Sequence, residues 1–191
     1  MASDSGRYSN CIYIPSGNTD YITTNDVVGD FSSGITMNIW FKSSCTTPGN
    51  DYHEIFNIAT ATQNFENGIH KTGYYRSGMH INGTRNVQNT AALSLVNGNW
   101  HMLTLTYDNN IVRRYVDGIE RVNSTVAGTV TSTSCKFLLG HYGTNTSYYA
   151  KEAYLSDARI YTTALSADDI KQLYSTAAKV DNLGSIHTFE F

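Results

Sequence analysis

Short stretches in which apolar and polar residues alternate, each closed by a cluster of Gly, Asn, Asp or Ser, recur along the chain. No other feature constrains the fold so strongly. Period-two spacing gives an extended segment one apolar face, and frequent turn clusters return the chain antiparallel to itself. Ile35, Met37, Ile39 and Phe41 fall on one face, while Thr36, Asn38, Trp40 and Lys42 fall on the other. His101, Leu103, Leu105 and Tyr107 repeat the pattern, with Trp100, Met102, Thr104 and Thr106 opposite. Asp108-Asn109-Asn110 then turns the chain into a strand over 111–116. Asp117-Gly118 suits a type I′ turn into a strand over 119–125, because both residue types tolerate positive φ. Further strands are expected near 11–14, 21–23, 54–59, 79–81, 136–139 and 154–161, and the sum is an all-β antiparallel sandwich.

One segment departs from this pattern. Ile170, Leu173, Tyr174 and Ala177 are spaced as one face of a helix. Ser166 stands at its capping position, and Asp168 and Asp169 sit in the first turn, where the helix dipole favours negative charge. A short surface helix packed on the sandwich is expected, followed by a strand from 186 to the end.

The bulk numbers fit one domain over 1–191. Hydrophobic residues make up 40% and aromatics 12%, enough for a continuous core. Charged residues supply only 15%, so Ser, Thr, Asn and Gly provide most of the polar surface, as in proteins exposed outside the cell. The net charge is −3 and the densest basic cluster is Arg113-Arg114, which argues against a nucleic-acid partner. No apolar run approaches the roughly 18 residues of a membrane span, so no membrane partner is expected. Residues 1–5 carry no basic-then-apolar signal pattern.

Cys11, Cys45 and Cys135 form neither a CxxC pair nor a dense framework, and unoxidised thiols are the preferred reading; a Cys11–Cys135 bridge is the alternative. Three Asn-x-Ser/Thr triplets begin at Asn82, Asn123 and Asn145; Asn-rich turns produce such triplets by chance, and no role is assigned to them.

Four blocks carry a family resemblance. They are Ile35 through Lys42; Asn97-Gly98-Asn99-Trp100-His101 leading to Leu105-Thr106-Tyr107-Asp108; Arg114-Tyr115-Val116-Asp117-Gly118; and Leu155 through Tyr161 followed by Ala164 through Ile170. Their order and spacing, over roughly residues 8–178, resemble the laminin-G-like branch of the concanavalin A-like lectin/glucanase superfamily. The resemblance implies a jelly-roll sandwich. The tail, Asp168 through Ala178 with Asp181-Asn182 and Phe189-Glu190-Phe191, is similar to laminin-G-like domains in bacteriophage structural proteins. There the domain is commonly a module of a longer tail or fibre polypeptide, and the start at Ser5-Gly6-Arg7-Tyr8 also looks like a domain cut from something larger.

The superfamily includes laminarinase-type hydrolases, so catalysis was weighed. Retaining hydrolysis needs two carboxylates about 5–5.5 Å apart, and those enzymes place them on alternate positions of one strand. Glu54, Glu66, Glu120, Glu152 and Glu190 are scattered singly, and no such motif occurs. There is no Gly-x-Ser-x-Gly elbow, and the six histidines are not spaced as a zinc site. No catalytic residue and no enzyme activity are expected. The resemblance also implies a structural calcium at a late-strand aspartate, here Asp157, with oxygens from Asp20, Asn25 or Asp26. Taken as residues alone, these are turn formers making Asx hydrogen bonds, and that reading is preferred.

Fourteen tyrosines are many for this length, and Tyr107, Tyr115, Tyr161 and Tyr174 fit core or strand positions. Two other clusters stand out as candidate carbohydrate sites. One contains Tyr74, Tyr75 and Arg76; the other runs from His141 and Tyr142 through Asn145 to Tyr148 and Tyr149. Sugar rings pack C–H faces on aromatic planes, and their hydroxyls need donors and acceptors on a rigid scaffold. Substitution of Tyr75 or Tyr148 by Ala is then expected to weaken glycan binding and leave the fold intact. Two functions follow from these residues: a lectin-like module attaching a virion or other surface to host or mucus glycan, or a structural module contacting other virion subunits or itself. A virion or extracellular location suits both.

Overall fold

A computed structural model describes residues 11–15, 21–24, 27–29, 31–59, 64–81, 84–130, 133–142, 147–176 and 186–189. Two antiparallel sheets pack face to face. The first follows the order β1 (Ile12–Ile14), β14 (Ala153–Tyr161), β4 (Ile35–Ser43), β10 (His101–Tyr107), β11 (Ile111–Val116) and β12 (Ile119–Thr125), with β15 (Ile186–Phe189) also on β14. The second follows β2 (Ile22–Thr23), β13 (Thr133–Leu139), β6 (Phe56–Ala59), β7 (Asn64–His70), β8 (Tyr75–Ile81) and β9 (Thr84–Asn89). Here β3 (Val27–Gly29) joins β13 and β5 (Tyr52–Glu54) joins β7. The expected two-sheet jelly-roll sandwich is the fold of this chain.

Between the sheets lies one core. Ile35, Met37, Ile39 and Phe41 of β4 and Leu103, Leu105 and Tyr107 of β10 meet Phe65 and Ile69 of β7 and Tyr75, Met79 and Ile81 of β8. These are alternate residues of each strand, as the pleat requires. The opposite face of β4 is buried too, because a second apolar layer covers it. Trp40, Met102, Tyr115 and Tyr161 pack under Leu165 and under Ile170 and Leu173 of the helix α1 (Ala167–Thr176). Trp40 stacks on Tyr174 with ring centroids 5.6 Å apart.

Local signals were honoured at the turns. Asp117 and Gly118 both have positive φ, 54° and 76°, as a type I′ turn needs. Asp108 Oδ1 accepts hydrogen bonds from the amides of Asn110 and Ile111, closing the preceding turn. No disulfide joins Cys11, Cys45 and Cys135; Cys45 and Cys135 are buried and Cys11 is half-buried. Among the described residues, no helix is long and apolar enough to cross a membrane.

Candidate functional site

Strand alternation on the second sheet sorts its polar residues. Phe65, Ile69, Tyr75 and Met79 point into the core, so Glu66, Gly68, Arg76, Gly78 and His80 lie on the outer face. On β5 the His53 ring packs against Phe41 inside, which turns Tyr52 and Glu54 outward. The register Glu54↔Gly68, Gly68↔Arg76 and Glu66↔Gly78 then gathers these residues on three adjacent strands. Two of the facing positions are glycines, and the carboxylates use the room. A Cβ on Gly78 would lie 2.5 Å from Glu66 Oε1, and one on Gly68 would lie 3.4 Å from Glu54 Oε2.

The charges form a compact set. Arg85 of β9 donates from Nε and Nη2 to the two oxygens of Glu66, both at 2.7 Å. Arg76 lies 3.7 Å from Glu66 and 4.0 Å from Glu54, and its guanidinium stacks under the Tyr52 ring at 4.5 Å. Glu54 is buried, and its Oε2 has no hydrogen-bond partner. Desolvation, reinforced by the charge of Glu66 and only partly offset by Arg76, pushes its carboxyl up to about 8. The hydroxyls of Tyr52 and Tyr74 meet at 2.9 Å, and His70 stacks on Tyr74 at 4.4 Å. Burial and the Tyr52 hydroxyl push Tyr74 up to about 12.

The second tyrosine cluster returns to the same face. Asn57 Nδ2 donates to the carbonyl of His141 at 2.8 Å, and the amide of Tyr142 donates to the carbonyl of Tyr148 at 3.1 Å. Tyr142 is thereby brought beside the charged set: burial first, and then the charge of Glu66, raise its phenol, while Arg85 pulls it down. Its ring meets Tyr148 edge-on at 5.9 Å.

Of the residues singled out from sequence, Tyr74, Arg76, Tyr142 and Tyr148 line or border this face. Tyr75 does not. It is fully buried in the core, its hydroxyl bonded to Asn67 Oδ1, because its neighbours on the strand already take the outward positions. Its replacement would test the fold and not a ligand contact. Tyr149 packs its ring on Gly49, where a Cβ would come within 2.5 Å, and His141 is buried with its ring 4.9 Å from Tyr21. Asn145 lies outside the described residues.

The calcium expectation fares differently. Asp157 occupies a β-bulge with φ 51°, and both its oxygens accept from the Arg159 guanidinium at 2.5 and 2.8 Å. An aspartate held in that way is occupied by its own neighbour. Asp20, Asn25 and Asp26 lie outside the described residues, and among the described residues no three His, Cys, Asp or Glu side chains converge on a metal position.

Sequence reasoning missed Tyr52, Glu54, Glu66 and Arg85. A signal existed: Phe65 and Ile69 alternate with Glu66, Gly68 and His70, and Tyr75, Ser77 and Met79 alternate with Arg76, Gly78 and His80. Two adjacent strands with a glycine facing a carboxylate mark a polar outer face. The glutamates scattered along the chain are thus neighbours in space.

A search of curated proteins found no relative of significant sequence similarity. Among solved structures, a heptameric SAP-like pentraxin from Limulus polyphemus is similar with a TM-score of 0.68 and 13% identity, over 94% of this chain and 91% of that one. The binding domain of Paraclostridial Mosquitocidal Protein 1 gives 0.71 and 15% identity, over 91% of this chain and 45% of its own. Domains LG4-5 of the mouse laminin α1 chain give 0.67 and 14% identity, over 98% of this chain and 48% of theirs. The chain therefore spans about half the length of the last two, and at these identities the likeness is one of fold. The family model described as the concanavalin A-like lectin/glucanases superfamily matches residues 16–171, most of the sequence, and the chain belongs to that superfamily.

Proposed function

We propose that the protein is a non-catalytic, lectin-like module that binds carbohydrate on the outer face of its second sheet. The observation that carries this reading is the convergence of two tyrosine-bearing segments, Tyr52 with Tyr74 and Tyr142 with Tyr148, around Arg76. Aromatic rings and fixed polar groups on a rigid sheet are what a saccharide requires. Hydrolysis is disfavoured because Glu54 and Glu66 are buried and Glu66 is held at both oxygens by Arg85. The lectin/glucanase superfamily to which the chain belongs, and the similar binding domain of Paraclostridial Mosquitocidal Protein 1, support the same reading. The resemblance of the C-terminal segment to phage structural proteins extends the reading to a module displayed on a virion or another extracellular surface, where it would attach to host or mucus glycan.

A glycan array probed with the purified chain, followed by calorimetry on a hit, tests it. Tyr142→Ala and Tyr52→Ala are expected to weaken binding about tenfold or more while thermal unfolding stays within a few degrees. A blank array, together with stable self-association in solution, would replace the lectin reading with a structural one.

A further inference from the structure

The charges on this face are layered in depth. The side chains of Glu54 and Glu66 are only 3% and 4% exposed, whereas those of Arg76 and Arg85 are 15% and 42% exposed. The arginine side chains are therefore the more exposed members of the set, although both signs are present in equal number. Arg85 spends Nε and Nη2 on Glu66. Arg76 spends nothing comparable: its contacts with Glu54 and Glu66, at 4.0 and 3.7 Å, exceed hydrogen-bond length, and among the described residues its guanidinium makes no hydrogen bond. One side of its plane is covered by Tyr52, which fixes its orientation. A planar fork of five donors is thus held in place, partly exposed, with no hydrogen-bond acceptor among the described residues. The balance of charge agrees. Burial pushes the Glu54 carboxyl up to about 8, which disfavours its negative charge beside the guanidiniums.

We propose that Arg76, stacked under Tyr52 and flanked by Arg85 and Tyr142, is the recognition centre for a saccharide bearing a carboxylate, such as a uronate or a sialate. This rests on the carbohydrate-binding reading and adds the charge of the sugar. A carboxylate matches the guanidinium fork with two parallel hydrogen bonds, and the Tyr74 and Tyr142 rings offer surfaces for the C–H faces of the adjoining pyranoses. Neutral sugars are held chiefly by carboxylates that accept hydroxyl pairs, and here both carboxylates lie beneath the arginines. Arg76 stands among tyrosines in the sequence, but the carboxylates beside it come from other strands.

Calorimetry of the intact chain with tetragalacturonate, sialyllactose, 3′-sulfolactose, lactose and a triglutamate peptide tests the proposal. At least one of the two carboxylate sugars is expected to bind, with lactose much weaker, and the affinity should fall as sodium chloride is raised. Arg76→Gln should lose about ten- to a hundredfold in affinity, the worth of a charged hydrogen-bonded contact, with its melting temperature close to that of the parent. Arg76→Lys keeps the charge and loses the fork; it should also lose about tenfold, and it takes the place of Arg76→Gln if that variant folds poorly. Equal affinity for lactose and sialyllactose, binding untouched by both Arg76 variants, a preference for the sulfated, carboxylate-free 3′-sulfolactose, or equal binding of triglutamate would each overturn it. Neutral sugars that bind irrespective of Arg76 would leave the carbohydrate reading standing, whereas failure of every saccharide on the array would remove both.

Discussion

Glu54 and His53 are adjacent in sequence and face opposite sides of the sheet, and each resists taking a charge. His53 is buried inside, where its Nε2 donates to the Cys45 carbonyl at 2.8 Å and its Nδ1 accepts from the Lys151 amide at 3.3 Å. That pair of bonds uses one donor and one acceptor and so holds the neutral ring; desolvation brings its proton affinity down to about 4. Glu54 faces Glu66, Arg76 and Arg85 and is pushed up to about 8 from 4.5. The consequences for stability have opposite signs. Between pH 4.5 and about 8 the unfolded chain has lost the proton that folded Glu54 keeps, so Glu54 lowers stability progressively as pH rises through that window, with no further change above it. His53 lowers stability as pH falls from 6.5 towards about 4, because the unfolded ring takes up a proton that the folded one refuses. Glu54→Gln should abolish the upper slope and leave the acid limb in place. Denaturant melts of both proteins from pH 5 to 9 check this, and parallel profiles would refute the assignment.

At the scale of elements, α1 acts as a cover for the first sheet. Ser166 and Asp169 bond each other reciprocally: the Asp169 amide donates to Ser166 Oγ at 3.2 Å, and the Ser166 amide donates to Asp169 Oδ2 at 3.1 Å. This is a capping box with Asp in the position more often held by Glu or Gln. Two orphan amide groups at the helix start are satisfied in this way. Replacing Ser166 by Ala should cost about 1 kcal/mol in chemical denaturation and leave the sheet site unaltered. The helix matters because it hides Trp40, Met102, Tyr115 and Tyr161, whose strand faces would otherwise expose a broad aromatic surface.

Across the whole molecule the sheets are joined chiefly by apolar packing, and a buried cation lies within it. Arg114 on β11 is fully buried, donating from Nε to Ser77 Oγ of the opposite sheet at 2.6 Å and from Nη1 to Ser124 Oγ at 3.1 Å. Among the described residues no carboxylate pairs with it, and desolvation brings its guanidinium down to about 10. A buried cation without a counter-charge contributes little net stability, whereas its volume is needed for packing. Arg114→Met should therefore stay within about 1 kcal/mol of the parent, and Arg114→Ala should lose about 3 kcal/mol. Urea denaturation of the two variants separates charge from volume; equal losses would show that the charge itself holds the sheets together. The same distinction of scale separates what was legible in the chain from what was not. The alternating strands β4 and β10, the Asp117-Gly118 turn and the capped helix depend on residues a few positions apart, so the sequence by itself determined them and the sandwich they build. That Tyr74 would join Tyr52 and His70 outside the core and Tyr75 would enter it, and that Glu54, Glu66, Arg76, Arg85 and Tyr142 would share one face, only the tertiary structure decided. The register between β5, β7, β8 and β9, and the return of the 141–148 segment over them, are set by pairings between distant parts of the chain, and a one-residue slip in any of them would turn the whole set inward.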